Sequence, residues 1–114
     1  MKEMTVKYRI VLIYLGLAFA VRIVFWPVST HNFINYDDPD YVTSNAQVKS
    51  GLNSESIAWA FKTTSIGNWH PLTWLSHMAD MEVFGTNAGG HHSTSMLIHM
   101  ANVLLLFAVL KKMT

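Results

Sequence analysis

The chain has 114 residues, of which 51% are hydrophobic and only 13% are charged, and its formal net charge is +1. So small a charged fraction favours a membrane protein over a soluble domain. Because the charge is near zero and no basic run interleaves with aromatic residues, nucleic acid is excluded as a predicted partner. The absence of cysteine excludes disulfides, CxxC redox motifs and thiolate metal sites.

The first apolar segment, residues 10–28, contains a single charged residue, Arg22. As a helix it would be about 28 Å long, which matches the hydrocarbon core of a bilayer. We therefore predict a transmembrane helix over these residues. The alternative is a signal peptide cleaved after Ala20, at the end of an A-x-A pattern. Arg22 would either extend to the lipid headgroups or face other helices and pair with a lipid phosphate.

A second apolar segment, residues 92–110, is also predicted to cross the membrane, followed by a short polar end, residues 111–114. Four polar residues share one stripe of this helix because they are spaced by three or four positions. They are His92, Ser95, His99 and Asn102. Polar groups in hydrocarbon need partners, so the stripe is expected to face other helices of the protein or of a partner subunit.

Basic residues flank the start of the first segment and the end of the second. Between them, residues 29–91 contain only two lysines, Lys49 and Lys62, and no arginine. The flanking residues are Lys2, Lys7, Arg9, Lys111 and Lys112. The positive-inside rule then predicts a cytoplasmic N-terminus, residues 1–9, and a cytoplasmic C-terminal end. The large loop would be exterior, and in a bacterial inner membrane it would be periplasmic.

Three carboxylates crowd around Pro39 soon after the first segment: Asp37, Asp38 and Asp40. Proline next to aspartate favours a turn, so a solvated turn is one interpretation. Clustered carboxylates also suit a general base, or ligands for a hard divalent cation. Asp38 and Asp40 are the metal-ligand candidates, and the pattern alone does not distinguish a base from a ligand.

Two short helices are predicted in the loop. Residues 54–62 have Ser54 as a candidate N-cap and would lie either at the membrane interface or in a core. Residues 70–84 have a proline at the start and a glycine just beyond the end. The second helix is amphipathic and is expected to lie along the membrane surface. Its predicted polar face consists of Thr73, Ser76, His77 and Asp80, and its predicted apolar face of Leu72, Leu75 and Ala79. Trp69 and Trp74 would sit at headgroup level.

Histidines supply the remaining candidate groups. His77 and Asp80 are three positions apart on the second predicted helix, a spacing that suits a hydrogen-bonded pair, a metal pair or a proton relay. His91 and His92 are adjacent, so on a helix their side chains would point about 100° apart. One of them could then face a phosphate or a carboxylate, and a surface location is the competing interpretation.

Taken in order, three motifs resemble the N-terminal part of polytopic membrane proteins that carry C-terminal tetratricopeptide repeats. The motifs are NYDDPDYV (35–42), NWHPLTWLSHMAD (68–80) and GGHHSTSMLIHMANVLLLF (89–107). Those proteins look like glycosyltransferases of the GT-C superfamily, related to protein O-mannosyltransferases, which use polyprenyl-phosphate sugars. The resemblance covers nearly the whole chain, and its specificity comes from the combination of motifs.

The resemblance implies roles for particular residues. In that superfamily the first exterior loop carries an acidic motif that supplies the catalytic carboxylate or a metal contact. By position, Asp37 and Asp38 are the catalytic candidates, with Asp37 as the preferred base, and Asp40 matches a DxD pattern with Asp38. The resemblance assigns no role to the four substrate-binding candidates, His91, His92, Arg22 and His77. His91 and His92, at the outer end of the second span, would be placed to meet the lipid phosphate.

We therefore predict an all-α membrane protein in which two transmembrane helices flank a large exterior loop with short interfacial helices, the first module of a GT-C fold. The implied partners are a polyprenyl-phosphate sugar lipid, the membrane and further transmembrane helices, and a divalent cation is the one cofactor considered. Family members have about ten spans, so the chain looks like a truncated member that is inactive alone. The alternative is a small, non-enzymatic membrane assembly protein.

Overall fold

A computed structural model of the chain describes the backbone of residues 2–114 and the side chains of residues 5–114. It is all-helical, with no β-strand among the described residues, which confirms the predicted class. Its helices are α1 (Lys2–Val24), α2 (Ala46–Lys49), α3 (Ser54–Lys62), α4 (Pro71–Phe84) and α5 (Ala88–Met113), with shorter helical turns at Trp26–Thr30, Pro39–Thr43 and Ser65–Gly67.

The chain forms two compact units. The terminal unit consists of Met1–Ser29 and Ser93–Thr114, and the loop unit consists of Thr30–His92. The loop unit has nearly the bounds predicted for the exterior loop. Helix α5 starts in the loop unit and continues into the terminal unit.

Within the terminal unit, α5 is long and apolar enough to cross a membrane, as predicted for the second segment. Helix α1 is not shown to be apolar enough to cross a membrane. Every 18-residue stretch of its described side chains, residues 5–24, contains three cations. The three cations are Lys7, Arg9 and Arg22. Lys2 was also predicted to flank this segment, and its side chain lies outside the described residues. Length and composition therefore support one membrane-crossing helix, and a second is not shown.

Helix α1 also ends before the predicted boundary. It stops at Val24, and the rest of the apolar segment forms the 3-10 turn Trp26–Thr30. Pro27 lies in this turn, where its ring disfavours the α-conformation at the preceding residue and removes a backbone donor. The apolar run is therefore continuous in sequence but is not one continuous helix.

In the loop unit, α4 packs against α2 and α3 around a small apolar core. The core side chains are fully buried: Val48, Ala60, Trp74 and Met78. The indole of Trp74 stacks on Tyr41, with ring centres 5.2 Å apart, and meets Trp59 edge-on at 5.0 Å. The prediction that Trp74 lies at headgroup level is therefore wrong, whereas Trp69 is 64% exposed.

The predicted faces of α4 also need correction. Leu72, assigned to the apolar contact face, is 75% exposed, whereas Asp80, assigned to the polar face, is 7% exposed. Trp74 and Met78 are one turn apart, so together they form the largest apolar surface on the helix and take the core. The side of α4 that carries His77 and Asp80 then turns inward with them.

Helix capping fixes the starts of the short helices. The Asn45 side chain accepts hydrogen bonds from two backbone N–H groups at the start of α2. Helix α3 begins with a reciprocal capping box between Asn53 and Ser56, so the predicted cap at Ser54 is wrong by one residue. The Ser56 hydroxyl also donates to the carbonyl oxygen of Gly51 at 2.6 Å. This bond joins the α2–α3 loop to the buried side of α3.

The same loop is joined to α4 by Glu82. One oxygen of its carboxylate accepts a hydrogen bond from the backbone N–H of Leu52 at 3.0 Å. Gly51, the preceding residue, has φ of +75° and lies so close to Glu82 that a side chain at this position would collide with the carboxylate. Glycine is therefore favoured here by its conformation, and any side chain at this position would also displace the Glu82 carboxylate.

Candidate functional site

Three potential metal ligands meet inside the loop unit: His77, Asp80 and His91. One ligand atom from each lies within 4.8 Å of the other two. His77 and Asp80 are nearly one turn apart on α4, and His91 comes from the first turn of α5. Asp80 and His91 are both buried, with 7% and 4% exposure. We call these three residues the His–Asp–His cluster.

The connection between α4 and α5 explains how His91 reaches α4. Gly85 ends α4 with φ of +57°, in the left-handed region that favours glycine. Gly90, in the first turn of α5, has the Phe84 ring against it, and a side chain there would collide with that ring. Gly85 thus permits the backbone conformation that ends α4, Gly90 leaves room for the Phe84 ring, and His91 lies beside Asp80.

A backbone hydrogen bond defines the protonation of the His91 ring. Its Nε2 lies 2.8 Å from the carbonyl oxygen of Gly85, and because a carbonyl only accepts, Nε2 carries the proton. In the neutral ring, Nδ1 then presents its lone pair toward the cluster. Nδ1 lies 3.8 Å from a carboxylate oxygen of Asp80. A lone pair facing a carboxylate favours a positive charge between them, either a proton or a metal ion.

His77 completes the cluster with a buried ring nitrogen. Its Nδ1 has no hydrogen-bond partner among the described residues. Burial lowers the pKa of His77 below its usual value; Asp80 and Asp38 oppose this shift, and His91 and His70 add to it. At neutral pH the ring is therefore uncharged, which is the form that ligates metals.

A second feature of the loop unit is a surface cleft of about 610 Å³. Asp38 and His92, predicted from separate motifs, both line it, together with Thr30, His31, Asn32, Phe33 and Ile34. The Asp38 carboxylate is held in place by a hydrogen bond from the backbone N–H of Ile34 at 2.7 Å. We call this feature the Asp38–His92 cleft.

The other two carboxylates of the acidic motif lie at the surface. Asp37 and Asp40 are exposed and do not line the cleft. The backbone carbonyl of Asp37 accepts hydrogen bonds from the N–H groups of Asp40 and Tyr41, which starts the turn at Pro39–Thr43. Asp38 and Asp40 are not members of the metal-ligand group that the described residues contain. The catalytic role of Asp37 and the metal role of Asp38 with Asp40 stay predictions.

Arg22 belongs to the terminal unit, unlike the other candidates. Its guanidinium carbon lies 3.6 Å from the centre of the Trp26 ring, a cation–π contact. A guanidinium nitrogen also lies 3.9 Å from the sulfur of Met96, a weak acceptor. These contacts fix the side chain at the end of α1, and its role toward a lipid phosphate stays a prediction.

The structure thus sorts the predicted residues into two groups in the loop unit. His92 and Asp38 share the cleft, whereas His91 and His77 join Asp80, which was noted beside His77 but not expected to meet His91. The adjacent histidines do face different surroundings, as the helical offset predicts. Comparisons with protein-family models, with curated proteins and with solved structures find no match for this chain, so its resemblance to glycosyltransferases stays a prediction.

Proposed function

We propose that the chain is the N-terminal membrane module of a glycosyltransferase that uses polyprenyl-phosphate sugars, and that its loop unit holds the phosphate-linked sugar. The observation that carries this proposal is the Asp38–His92 cleft. It brings together an acid and an imidazole from the two motifs that were expected to act on the sugar lipid. A carboxylate beside a potential cation is the pair required for proton removal and phosphate binding.

The proposed chemistry uses the two groups separately. The Asp38 carboxylate takes the proton from an acceptor hydroxyl while that oxygen forms a bond to the anomeric carbon of the sugar. The bond between the anomeric carbon and the phosphate oxygen breaks, and its electron pair leaves with the polyprenyl phosphate. His92 donates a hydrogen bond to that phosphate and offsets its growing charge. Asp38 is placed ahead of Asp37 here because only Asp38 lines the cleft.

Membrane location is part of the proposal. Helix α5 supplies one span, and we propose that α1 also lies in the membrane with Lys7 and Arg9 at its cytoplasmic end. The surface of the loop unit agrees with an interfacial position, since Trp69 and Leu72 line an exposed apolar cleft of about 490 Å³. Both residue types suit the headgroup boundary of a bilayer.

Lipid binding tests the proposal with this chain alone. Tag-free protein in detergent micelles is mixed with a polyprenyl-phosphate sugar or with the uncharged polyprenol of the same length, and native mass spectrometry counts the retained lipid. We expect selective retention of the phosphate-linked lipid, weakened about tenfold by His92→Asn, as for loss of one charge-assisted hydrogen bond. His99→Asn, on the terminal-unit part of α5, is the control. Equal retention of both lipids would refute the proposal.

Transfer tests the role of Asp38. In membranes that also contain the remaining spans of a related glycosyltransferase, we expect Asp38→Asn to lower sugar transfer at least 100-fold, as for loss of a general base, and to leave lipid retention intact. Asp37→Asn is compared in parallel. Undiminished transfer by Asp38→Asn together with a loss in Asp37→Asn would assign the base to Asp37.

A second candidate function, a small membrane assembly protein, is favoured by one observation. Three residues of the predicted polar stripe, Ser95, His99 and Asn102, are exposed on the terminal-unit part of α5. A polar stripe on an apolar helix is suited to pairing with another helix in the bilayer. Crosslinking from position 102 in native membranes to another membrane protein, without selective lipid retention, would favour this function.

A further inference from the structure

The His–Asp–His cluster offers a ligand set with a definite chemistry. Two imidazoles and one carboxylate form a ligand set of intermediate hardness. Such a set suits Zn²⁺ and other divalent first-row transition metal ions better than Mg²⁺ or Ca²⁺, which prefer oxygen ligands alone. Known zinc sites with two histidines and one carboxylate keep a fourth position open. This set differs from the all-carboxylate pair considered at Asp38 and Asp40, which would favour a hard cation.

We propose that His77, Asp80 and His91 bind a divalent first-row transition metal ion, with Zn²⁺ as the best fit, and leave one coordination position for water or another ligand. The proposal does not depend on the proposed glycosyltransferase function. Its first support is geometric, because ligand atoms from three side chains on two helices converge within 4.8 Å.

The separations of the ligand atoms are close to those of an occupied site. Zinc bonds of about 2.0–2.1 Å place tetrahedral ligand atoms about 3.3 Å apart. The Nδ1 of His91 and the nearest oxygen of Asp80 are 3.8 Å apart, and the widest separation in the cluster is within 4.8 Å. Small side-chain rotations, without movement of the helices, would bring the three atoms onto one ion.

The hydrogen bond of His91 is a second, independent support. Ligating histidines commonly donate their other ring N–H to a backbone carbonyl or a carboxylate, which fixes the ring and its tautomer. His91 has this arrangement, with Nε2 bonded to the carbonyl oxygen of Gly85 at 2.8 Å and Nδ1 turned to the cluster. His77 contributes one ring nitrogen to the cluster, and its Nδ1 is buried with no hydrogen-bond partner among the described residues.

Charge favours a dication at this position. With both imidazoles neutral, the cluster has a charge of −1 from Asp80. A divalent ion would neutralise Asp80 and would also give the buried nitrogen of His77 a partner. A proton shared between His91 and Asp80 would neutralise Asp80 as well, but it would leave the nitrogen of His77 without a partner.

Cobalt binding provides the test, because tetrahedral Co²⁺ has a strong visible absorption that reports its ligands. Tag-free protein in detergent is treated with chelator, dialysed and titrated with CoCl₂, then with ZnCl₂. We expect one Co²⁺ per chain with a tetrahedral spectrum, which an equal amount of Zn²⁺ removes. Absence of the spectrum, or no binding at micromolar cobalt, would overturn the proposal and favour a proton-bridged His91–Asp80 pair.

Substitutions then identify the ligands. His77→Asn, Asp80→Asn and His91→Asn are each expected to weaken Co²⁺ binding at least 100-fold, whereas the control His99→Asn binds as the wild type does. Tryptophan fluorescence, to which Trp59, Trp69 and the buried Trp74 of the loop unit contribute, checks that each variant keeps the loop-unit core. If one variant loses its core, the decision falls to the other two and to the wild-type spectrum. Unchanged binding in folded ligand variants would assign the metal to other residues and overturn the proposal.

Discussion

Gly51 provides a quantitative test of how the α2–α3 loop is held on α4. Its φ of +75° places an alanine in the left-handed region, which costs roughly 1–2 kcal/mol. The new methyl group would also displace the Glu82 carboxylate, which accepts a hydrogen bond from the N–H of Leu52 at 3.0 Å. Because this bond is exposed, its loss adds only about 1 kcal/mol. We therefore expect Gly51→Ala to lower the free energy of unfolding by about 2–3 kcal/mol.

Two comparisons separate the backbone cost from the cost at Glu82. Gly67 has almost the same φ, +76°, but a side chain there would meet nothing within 4 Å. Gly67→Ala should therefore cost only the backbone part, about 1–2 kcal/mol. In a Glu82→Ala background, Gly51→Ala should also cost only this part, so a double-mutant cycle should give a coupling of about 1 kcal/mol.

The assay is chemical denaturation in detergent, followed by tryptophan fluorescence. Three of the four tryptophans, Trp59, Trp69 and Trp74, lie in the loop unit, and Trp74 is fully buried in its core, so the change in emission reports mainly the unfolding of that unit. The slope of the unfolding free energy against denaturant concentration must be the same for all variants before their free energies are compared. Equal losses for Gly51→Ala in the presence and absence of the Glu82 side chain would refute the contact as the cause.

The remaining predictions use the same fluorescence assay. Asn53→Ala removes the α3 cap and should cost about 1 kcal/mol, whereas Ser54→Ala should cost nearly nothing; equal effects would contradict the capping box. Met78→Ala empties a fully buried position and should cost about 2–5 kcal/mol, and a loss below 1 kcal/mol would contradict its place in the core. Zinc at 100 times its dissociation constant should stabilise the loop unit by about 2.7 kcal/mol. The zinc effect should be absent from His91→Asn, and equal stabilisation of both proteins would contradict the metal site.

Local signals in the sequence predicted much of the fold. Pro71 and Gly85 mark the start and end of α4 because their effects on the backbone are confined to neighbouring residues. The burial of α4 could not be obtained in the same way. Leu72 and the Trp74–Met78 pair lie on different sides of the helix, and Leu75 packs against the core beside the pair. Which side is buried depends on what α2 and α3 cover. That information is tertiary and has no local signal.

The candidate metal ligands show the same limit more clearly. The spacing of His77 and Asp80 is visible in the sequence, but a pair of ligands is also common on wet helix faces. The third ligand, His91, joins them through the short connection that ends α4 at Gly85 and begins α5 at Ala88. Two glycines precede His91, and Gly90 makes room for the Phe84 ring, a contact that the sequence does not indicate. A glycine that is needed for close packing against Phe84 is the one feature of the sequence that relates the end of α4 to the start of α5.

Asp38 relates the two candidate sites within the loop unit. Its carboxylate lines the Asp38–His92 cleft, and it also acts electrostatically on His77 of the His–Asp–His cluster. The adjacent histidines divide the same way: His91 faces the cluster and His92 faces the cleft, because one residue of helix rotation separates them.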